Sequence, residues 1–271
     1  MNAVGKPERE TQNRVIALFR DELKYRYLGD WTDRPDNSNI EEKLLTDYLT
    51  RAGHSPEQIS RAIYLLRNEA DNPNRSLYDN NKVVYSMLRY GVDVKIDAGK
   101  VTDKVKLINW EQPEKNDFVI VEEVTLRGNH ERRPDLVIYV NGIAVAVIEL
   151  KNSYVSIGDG IRQLLSNQLK EFNEWFFTTV QIVFAGNDSE GLRHGAIEAT
   201  GSDFYILTML RTFVALGPGI TISSICGEFR RKGMVRLEDD RVSDRVRLLH
   251  LDYVENIRSS RVCHNNLFNL W

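Results

Sequence analysis

Residues 133–151 read RPDLVIYVNGIAVAVIELK, and this stretch decides the fold. Two apolar segments, 136–140 and 143–150, flank the dipeptide Asn141-Gly142. An Asn-Gly pair between apolar runs is a strong hairpin signal, because both residues tolerate the positive φ angles of a tight turn. The sequence therefore predicts a β-hairpin of two apolar strands.

Three charged residues stand at one end of this hairpin. Asp135 opens the first strand, and Glu149 and Lys151 end the second. Side chains two residues apart on a strand share a face, so Glu149 and Lys151 project together from the rim. A carboxylate after the apolar run IAVAVI is costly unless a charge partner or a metal ion satisfies it. The pattern indicates a site for a hard cation.

The residue types at this rim fit Mg²⁺ chemistry. Two carboxylates, from Asp135 and Glu149, and one backbone carbonyl are ligands that such a cation takes. A bound Mg²⁺ polarises a phosphate and lowers the pKa of an attacking water. We expect Lys151 to stabilise the developing charge or orient the water, and to keep both carboxylates ionised at neutral pH.

The register of the hairpin decides whether the two acids can share a site. In a strict two-residue Asn-Gly hairpin, Asp135 lies opposite Ile148, which puts it on the other face from Glu149. A shared site needs one extra residue, either in a three-residue turn with Gly142 left-handed or in a β-bulge. We predict such an offset between residues 135 and 149.

The same three residues also have a purely structural interpretation. Asp135 would then cap a turn, and Glu149 and Lys151 would form an exposed pair at a strand end. An isolated D…ExK pattern is a weak signal. The hairpin, the fully apolar strand before the charges and the helix predicted after them favour a functional site.

The rest of the chain alternates between helical and extended patterns. Apolar spacing and capping residues predict helices from Pro7, from Asn39, from Ser55, over 76–90 and over 157–172. Alternating or apolar runs predict strands over 25–28, 92–96, 105–110, 118–126, 180–185 and 220–225. We predict an α/β fold with a mixed, largely antiparallel central sheet flanked by helices.

Charge, cysteine content and hydropathy exclude several classes of protein. A net charge of −3 means that the chain is not basic overall, so DNA contact needs a local basic patch or partners. Cys226 and Cys263 lack metal-ligand spacing and form no disulfide framework, which favours reduced thiols. The N-terminus has no signal-peptide stretch, and the longest apolar run, 143–148, is too short to span a bilayer. We expect a soluble, cytoplasmic protein with no membrane contact.

Residues 133–151 closely resemble the PD-(D/E)xK nuclease motif of type I restriction enzyme R subunits. The resemblance extends along nearly the whole chain. It includes ERETQNRVIALF at 8–19, SLYDNNKVVYSMLRYGV at 76–92, NDFVIVEEVTLRG at 116–128, GIRQLLSNQ at 160–168 and FAGNDSEGLRHGAI at 184–197. An extended match is far more specific than a three-residue motif. It implies a restriction-endonuclease-like fold and a Mg²⁺-dependent endonuclease, with Mn²⁺ as a substitute metal.

The resemblance also implies residue roles. Asp135 and Glu149 would bind the metal, with the carbonyl of Leu150 as a further ligand, and Lys151 would be the catalytic lysine. The family often carries Gln-x-x-x-Tyr on the next helix. Gln163 fits the glutamine, but Asn167 stands where the tyrosine is expected. Three other assignments are open: Gln168 with Phe172 as a second, poorer match, and Glu8 or Glu10 as the first-helix glutamate, each also explained as a solvated acid.

Such R subunits also contain an ATP-driven motor. This sequence has no G-x-x-x-x-G-K-[ST] loop, so we infer no ATP site in it. We expect a nuclease domain over 1–220 with a helical insertion at 38–90, and a segment at 221–271 that leads toward a motor. The expected partners are double-stranded DNA and the methyltransferase and specificity subunits of the same system.

Two alternative functions stay open at this point. One is a stand-alone repair or junction-resolving nuclease of the same superfamily, which the acidic net charge mildly disfavours. The other is a nuclease-like interaction module that is inactive in isolation. Arg132 and Arg133, just before Asp135, are candidates for phosphate contacts, and surface ion pairs explain them equally well.

Overall fold

The computed structural model describes residues 6–95, 102–128, 130–187, 189–199, 201 and 204–206. The strand predicted at 220–225 and the expected C-terminal segment at 221–271 lie outside the described residues. The expected domain division therefore stays a prediction.

A seven-stranded mixed sheet forms the centre of the described region. Its strand order is β1-β4-β5-β6-β7-β8-β9, and β2 with β3 forms a separate two-stranded sheet. The strands are β1 (Arg26–Asp30), β2 (Val92–Val94), β3 (Asp103–Val105), β4 (Phe118–Glu122), β5 (Leu136–Val140), β6 (Ile143–Leu150), β7 (Ile182–Asn187), β8 (Gly191–Gly195) and β9 (Tyr205–Ile206). β4, β5 and β6 are antiparallel neighbours, as are β7 and β8, whereas β1 with β4 and β6 with β7 are parallel. The predicted fold class is confirmed.

The described residues also form six α-helices. They are α1 (Lys6–Ala17), α2 (Glu42–Arg51), α3 (Pro56–Ala70), α4 (Leu77–Tyr90), α5 (Ile157–Asn167) and α6 (Glu174–Phe177), with a π-helical turn at Leu18–Glu22 and a 3₁₀ turn at Pro113–Lys115. The crossover from β6 to the parallel strand β7 contains α5 and α6, as a parallel connection requires. None of the described helices has the length and apolar content needed to cross a membrane.

Local sequence accounts for several helix starts. Ser55 caps α3 through a capping box with Gln58, and Pro56 occupies the first helical turn. Ser76 accepts a hydrogen bond from the backbone N–H of Asp79 and caps α4. Both predicted helices are confirmed, because their caps and their apolar faces specify the same residues.

Three predictions about element ends are wrong. The helix predicted from Asn39 begins at Glu42, because the Asn39 side chain instead donates to the carbonyl of Trp175 and to Thr178. Of the strand predicted over 105–110, only Val105 is in a strand. The helix predicted over 157–172 ends at Asn167. At Asn39 a tertiary contact overrides the local capping pattern.

The β5–β6 hairpin contains the predicted register offset. The turn residues Asn141 and Gly142 have φ of 53° and 84°, as in a tight two-residue turn. Tyr139 pairs with Ala144, but Ile138 pairs with Ala146, so Val145 is one extra residue in β6. Because Leu136 then pairs with Ile148, Asp135 comes opposite Glu149 and on the same face.

Neighbouring segments satisfy the backbone around the bulge. The carbonyl of Val145 accepts from the N–H of Gln181, and the carbonyl of Ala144 accepts from the hydroxyl of Thr179. The N–H of Ala144 donates to the carbonyl of Asn39. These bonds replace ladder bonds that the offset removes, which keeps the buried bulge stable.

The hairpin is the centre of the core. Every residue of β4, β5 and β6 is buried. The apolar face toward α5 includes Val137 and Val147 from the hairpin, with Ile161 and Leu164 from the helix. The rim that bears the acids is therefore attached to the most rigid part of the sheet.

Gly142 should tolerate no side chain. A Cβ at this position would lie 2.7 Å from the Cβ of Leu44 and from the backbone nitrogen of Leu45, at a φ of +84°. We expect Gly142→Ala to lower the free energy of unfolding by about 2–4 kcal/mol, from backbone strain plus overlap with α2. Chemical denaturation measures this change.

Gly53→Ala is the matched control. Gly53 has a φ of +90°, but a Cβ added there would meet nothing within 4 Å, so only the backbone strain of about 1 kcal/mol remains. Equal destabilisation by the two substitutions would contradict the packing of the turn against α2.

Candidate active site

Asp135 and Glu149 meet at one rim of the hairpin. Asp135 precedes β5, and its Oδ2 accepts a hydrogen bond from the backbone N–H of Leu150 at 2.5 Å. Glu149 is 1% exposed. The side chain of Asp135 therefore reaches across to β6, where the Glu149 carboxylate is enclosed.

Lys151 forms an ion pair with Glu149. Its Nζ lies 2.7 Å from Glu149 Oε1, and its side chain is 15% exposed. The pair is thus buried, and the alternative of an exposed strand-end pair is wrong. Lys151 also donates its backbone N–H to the carbonyl of Gly186 on β7, which fixes the end of β6.

The second oxygen of Glu149 has no partner. Among the described residues, Glu149 Oε2 is buried and makes no hydrogen bond. A buried carboxylate oxygen without a donor is costly, so it indicates a missing positive charge. This unpartnered oxygen is the feature of the site that fits a metal ion.

Burial raises the pKa of both acids. Burial and then the charge of Glu149 raise the pKa of Asp135 well above its usual value. Burial also raises the pKa of Glu149 to about 7, although the ammonium of Lys151 opposes the shift. The Lys151 ammonium was expected to keep both carboxylates ionised at neutral pH, but burial raises both pKa values more than its charge lowers them.

Lys151 is charged across the neutral range. Burial acts to lower its pKa, but the charge and hydrogen bond of Glu149, together with the charges of Asp135 and Glu8, raise it, and the net shift is upward. The rim thus holds two carboxyl groups that resist ionisation beside one firmly charged ammonium. A further positive charge at the carboxyl groups would bring both into the ionised state.

Helix α5 covers the stems of these side chains. A Cβ at Gly160 would lie 3.5 Å from Lys151 Cγ, 3.8 Å from Glu149 Cγ and 3.4 Å from the Cβ of Ala185. Sequence patterns gave no reason to single out Gly160, because its close approach depends on the crossover geometry.

The residues predicted on α5 and after it lie in different places. Gln163 lines a groove with Arg132, Arg162 and Ser166, and within the described part of the chain its side chain makes no hydrogen bond to the acids. Asn167, in place of the expected tyrosine, is fully buried. Gln168 accepts from the N–H of Glu198 and donates to the carbonyl of Leu164, so its amide is occupied structurally.

Helix α1 is attached to the site through a buried glutamate that the sequence patterns did not identify. Glu122 accepts from Arg9 at 2.6 and 3.1 Å, from Gln12 at 3.0 Å and from the hydroxyl of Tyr27. Gln12 also donates to Glu123 and, at 3.3 Å, to the backbone carbonyl of Asp135. These bonds fix α1 against the chain segment that bears Asp135.

Glu8 is the better candidate for the first-helix glutamate. After the larger effects of burial and the neighbouring charges, the Glu8 carboxylate further raises the pKa of Asp135 and of Glu149. Glu10 contributes to neither shift and is exposed. The spacing of Glu8 and Gln12, four residues apart, puts both on one helical face, and this was the available sequence signal.

The donor set is compatible with one divalent cation. Asp135 and Glu149 supply two carboxylates at one rim, and the carbonyl of Leu150 stays a prediction as a ligand. The described residues contain no group of three or more acidic, histidine or cysteine side chains arranged around a metal position. A cation here would therefore complete its shell with water and substrate oxygens, as Mg²⁺ commonly does.

A mixed sheet with buried acids and a lysine at the rim of its central hairpin is a nuclease-like α/β fold. Residues 6–200 match the family described as "Type I restriction enzyme R protein N terminus". The match covers more than half of the chain, and the chain belongs to this family.

Individual relatives agree with the family. The chain is 34% identical over 102 residues to a Methanocaldococcus jannaschii protein provisionally named type I restriction enzyme MjaIXP endonuclease subunit, covering 35% of this chain and 10% of that protein. It is 27% identical over 126 residues to the type I restriction enzyme HindI endonuclease subunit of Haemophilus influenzae, covering 45% and 11%. The matched regions span about a tenth of the length of these relatives.

The raised pKa of Glu149 predicts a pH-dependent stability. Its ordinary pKa is 4.5 and its folded pKa is about 7, so ionisation destabilises the fold as pH rises between these values. Without divalent metal, Glu149→Gln should raise the melting temperature at pH 8, on the order of a few degrees, and the gain should shrink toward pH 5. Thermal unfolding across pH tests this.

Glu10→Gln, which neutralises an exposed acid on α1, is the control and should show no such trend. A Glu149→Gln variant less stable than the wild type at pH 8 would show that the Lys151 ion pair outweighs burial.

Proposed function

We propose that this chain is the Mg²⁺-dependent endonuclease region of a type I restriction enzyme R subunit, which hydrolyses phosphodiester bonds of double-stranded DNA. The observation that carries the proposal is the buried Glu149 oxygen without a partner, on the same face as Asp135 and beside the ammonium of Lys151. Interpreting these residues as a PD-(D/E)xK site also agrees with family membership.

Each residue of the rim has a role in this proposal. Asp135 and Glu149 hold the cation, with the Leu150 carbonyl as a further ligand. The bound Mg²⁺ would supply Lewis acidity toward the phosphate and a lowered pKa for the attacking water. Lys151, already charged and held by Glu149, stabilises negative charge on the phosphate or orients the water.

Hydrogen bonds from β6 and α1 support the proposed ligands. The N–H of Leu150 holds the Asp135 carboxylate, and Gln12 holds the backbone of the same residue. Metal sites need such supports, because ligand orientation decides affinity. Glu8, near the rim, adds negative charge that a cation would offset.

The activity of a complete restriction enzyme is part of the proposal. In the complete enzyme, a cytoplasmic R subunit would contain an ATP-driven motor. Methyltransferase and specificity subunits would select the DNA. The rim residues are suited to phosphate and metal and not to base edges, so we propose that the cut is independent of local sequence. Cleavage would follow motor-driven translocation.

Substitutions in the assembled enzyme test the reaction. Lys151→Ala or Asp135→Ala should abolish DNA cleavage and leave DNA-dependent ATP hydrolysis unchanged, because the rim and the motor are separate sites. Glu10→Ala, at an exposed acid on α1, is the matched control and should cut normally. Cleavage retained by both rim variants would refute the assignment.

A Mn²⁺ titration of the isolated chain tests the metal. The wild type should bind Mn²⁺, and Glu149→Ala should lose most of this binding. The pKa of Glu149, about 7, means that protons compete with the metal below that pH. We expect the affinity to fall as pH drops from 8 to 6, by roughly tenfold over that range from the protonation of Glu149 alone.

The two alternative functions give different outcomes. A stand-alone nuclease would cut DNA without a motor or other subunits. An interaction module would bind no Mn²⁺ and would show no difference in metal binding between the wild type and Glu149→Ala at any pH.

A further inference from the structure

A groove lies between α5, whose Gly160 packs against Glu149 and Lys151, and the chain segment that precedes Asp135. Arg132, Arg162, Gln163 and Ser166 line it. None of these four side chains is acidic. The groove is therefore the polar, partly basic neighbour of an acidic rim, a combination that suits a ligand with both a cation and anionic groups.

The backbone of Arg132 is held rigidly. Its N–H donates to the carbonyl of Leu126 at 3.1 Å, and its carbonyl accepts from the N–H of Leu126 at 2.7 Å. Leu126 is fully buried in the core. This two-bond bridge extends the β4–β5 pairing and fixes the point from which the Arg132 side chain starts.

The guanidinium of Arg132 is held against an aromatic ring but has no acidic partner among the described residues. Its Cζ lies 3.9 Å from the ring centroid of Phe172, and its Nε is buried without a hydrogen-bond partner. Within the described part of the chain, no carboxylate forms an ion pair with it. A partly buried cation without a carboxylate partner indicates an anionic ligand.

Three other arginines near the site have acidic partners. Arg9 is paired with Glu122 at 2.6 Å, and Arg133 with Glu123 at 2.9 Å. Arg162 is paired with Asp159, but both are well exposed, so this bond is easily exchanged. Arg132 differs from these three in having an aromatic platform in place of an acid. With respect to the described residues, the Nε of Arg193 on β8 is likewise buried without a hydrogen-bond partner.

The separation along the chain suits one DNA strand. Asp135 lies three positions after Arg132, so their Cα atoms are at most about 11 Å apart. Successive phosphates of one strand rise about 3.4 Å along the helix axis. A phosphate in the groove would therefore lie a few nucleotides from a phosphate held at the acidic rim.

We propose that Arg132, held against Phe172 and lining the groove with Gln163, binds a phosphate of the DNA strand a few nucleotides from the phosphate that is cut. The site recognises the backbone and not the bases, since a guanidinium pairs with two phosphate oxygens. Gln163 contributes an amide donor to the same phosphate. This inference rests on the proposed nuclease function and adds a positioning contact to it.

Salt-dependent DNA binding of the full 271-residue chain tests the contact. Affinity for a short blunt duplex is measured by fluorescence anisotropy in metal-free buffer, so that no cleavage occurs. Each neutralised phosphate contributes about 0.9 to the slope of log affinity against log salt. Arg132→Gln should reduce the slope by about that amount and weaken binding of unrelated sequences equally.

Arg133→Gln is the matched control, because Arg133 is already paired with Glu123. It should leave the slope unchanged. Arg132→Lys keeps the charge but not the planar guanidinium, so it should keep the slope and lose affinity. Phe172→Leu should weaken binding, since it removes the aromatic platform. Thermal unfolding checks that every variant is folded.

Equal slopes for the wild type and Arg132→Gln would overturn the proposal, as would equal losses from Arg132→Gln and Arg133→Gln. A wild-type chain without measurable DNA binding would overturn it too. The Mn²⁺ titration at Glu149 is a separate measurement. Metal binding with unchanged salt slopes refutes the groove alone, whereas a reduced slope without metal binding refutes the nuclease assignment alone.

Discussion

One extra residue in β6 determines whether Asp135 and Glu149 lie on the same face of the sheet. The buried turn at Asn141-Gly142 would put Asp135 opposite Ile148, and the bulge at Val145 moves it opposite Glu149. The turn cannot supply the offset by lengthening, because Gly142 is packed against α2. The bulge is stable there because the Val145 carbonyl finds a donor on the chain entering β7.

Two buried glutamates differ in how many of their carboxylate oxygens accept hydrogen bonds. Glu122 receives hydrogen bonds from Arg9, Gln12 and Tyr27, and it joins α1 to the sheet. Glu149 receives one, from Lys151, and its second oxygen has none. The first arrangement stabilises the structure. The second is destabilising without a further cation, and it persists because a rigid hairpin holds it.

Sequence patterns predicted the hairpin, the three rim residues and a register offset from either a longer turn or a bulge, because each depends on side-chain parity over fewer than about twenty residues. Sequence patterns did not predict the hydrogen bond from Gln12 to the carbonyl of Asp135. These residues are far apart in the chain, and only the order of strands in the sheet brings them together. Asn39 was misassigned as a cap for the same reason: its amide bonds to the distant residue Trp175. Local rules predicted the site, and long-range contacts supply its support.

Two unsatisfied groups of opposite polarity lie at the rim and in the groove. Glu149 Oε2 lacks a positive partner, and Arg132 Nε lacks an acceptor. A free metal ion would satisfy only the first, and a free phosphate only the second. A phosphodiester chain that binds a divalent cation satisfies both, and its repeat lets one strand reach the rim and the groove together. A polyanion with a bound metal ion therefore explains the two unpartnered atoms, Glu149 Oε2 and Arg132 Nε, better than either ligand alone.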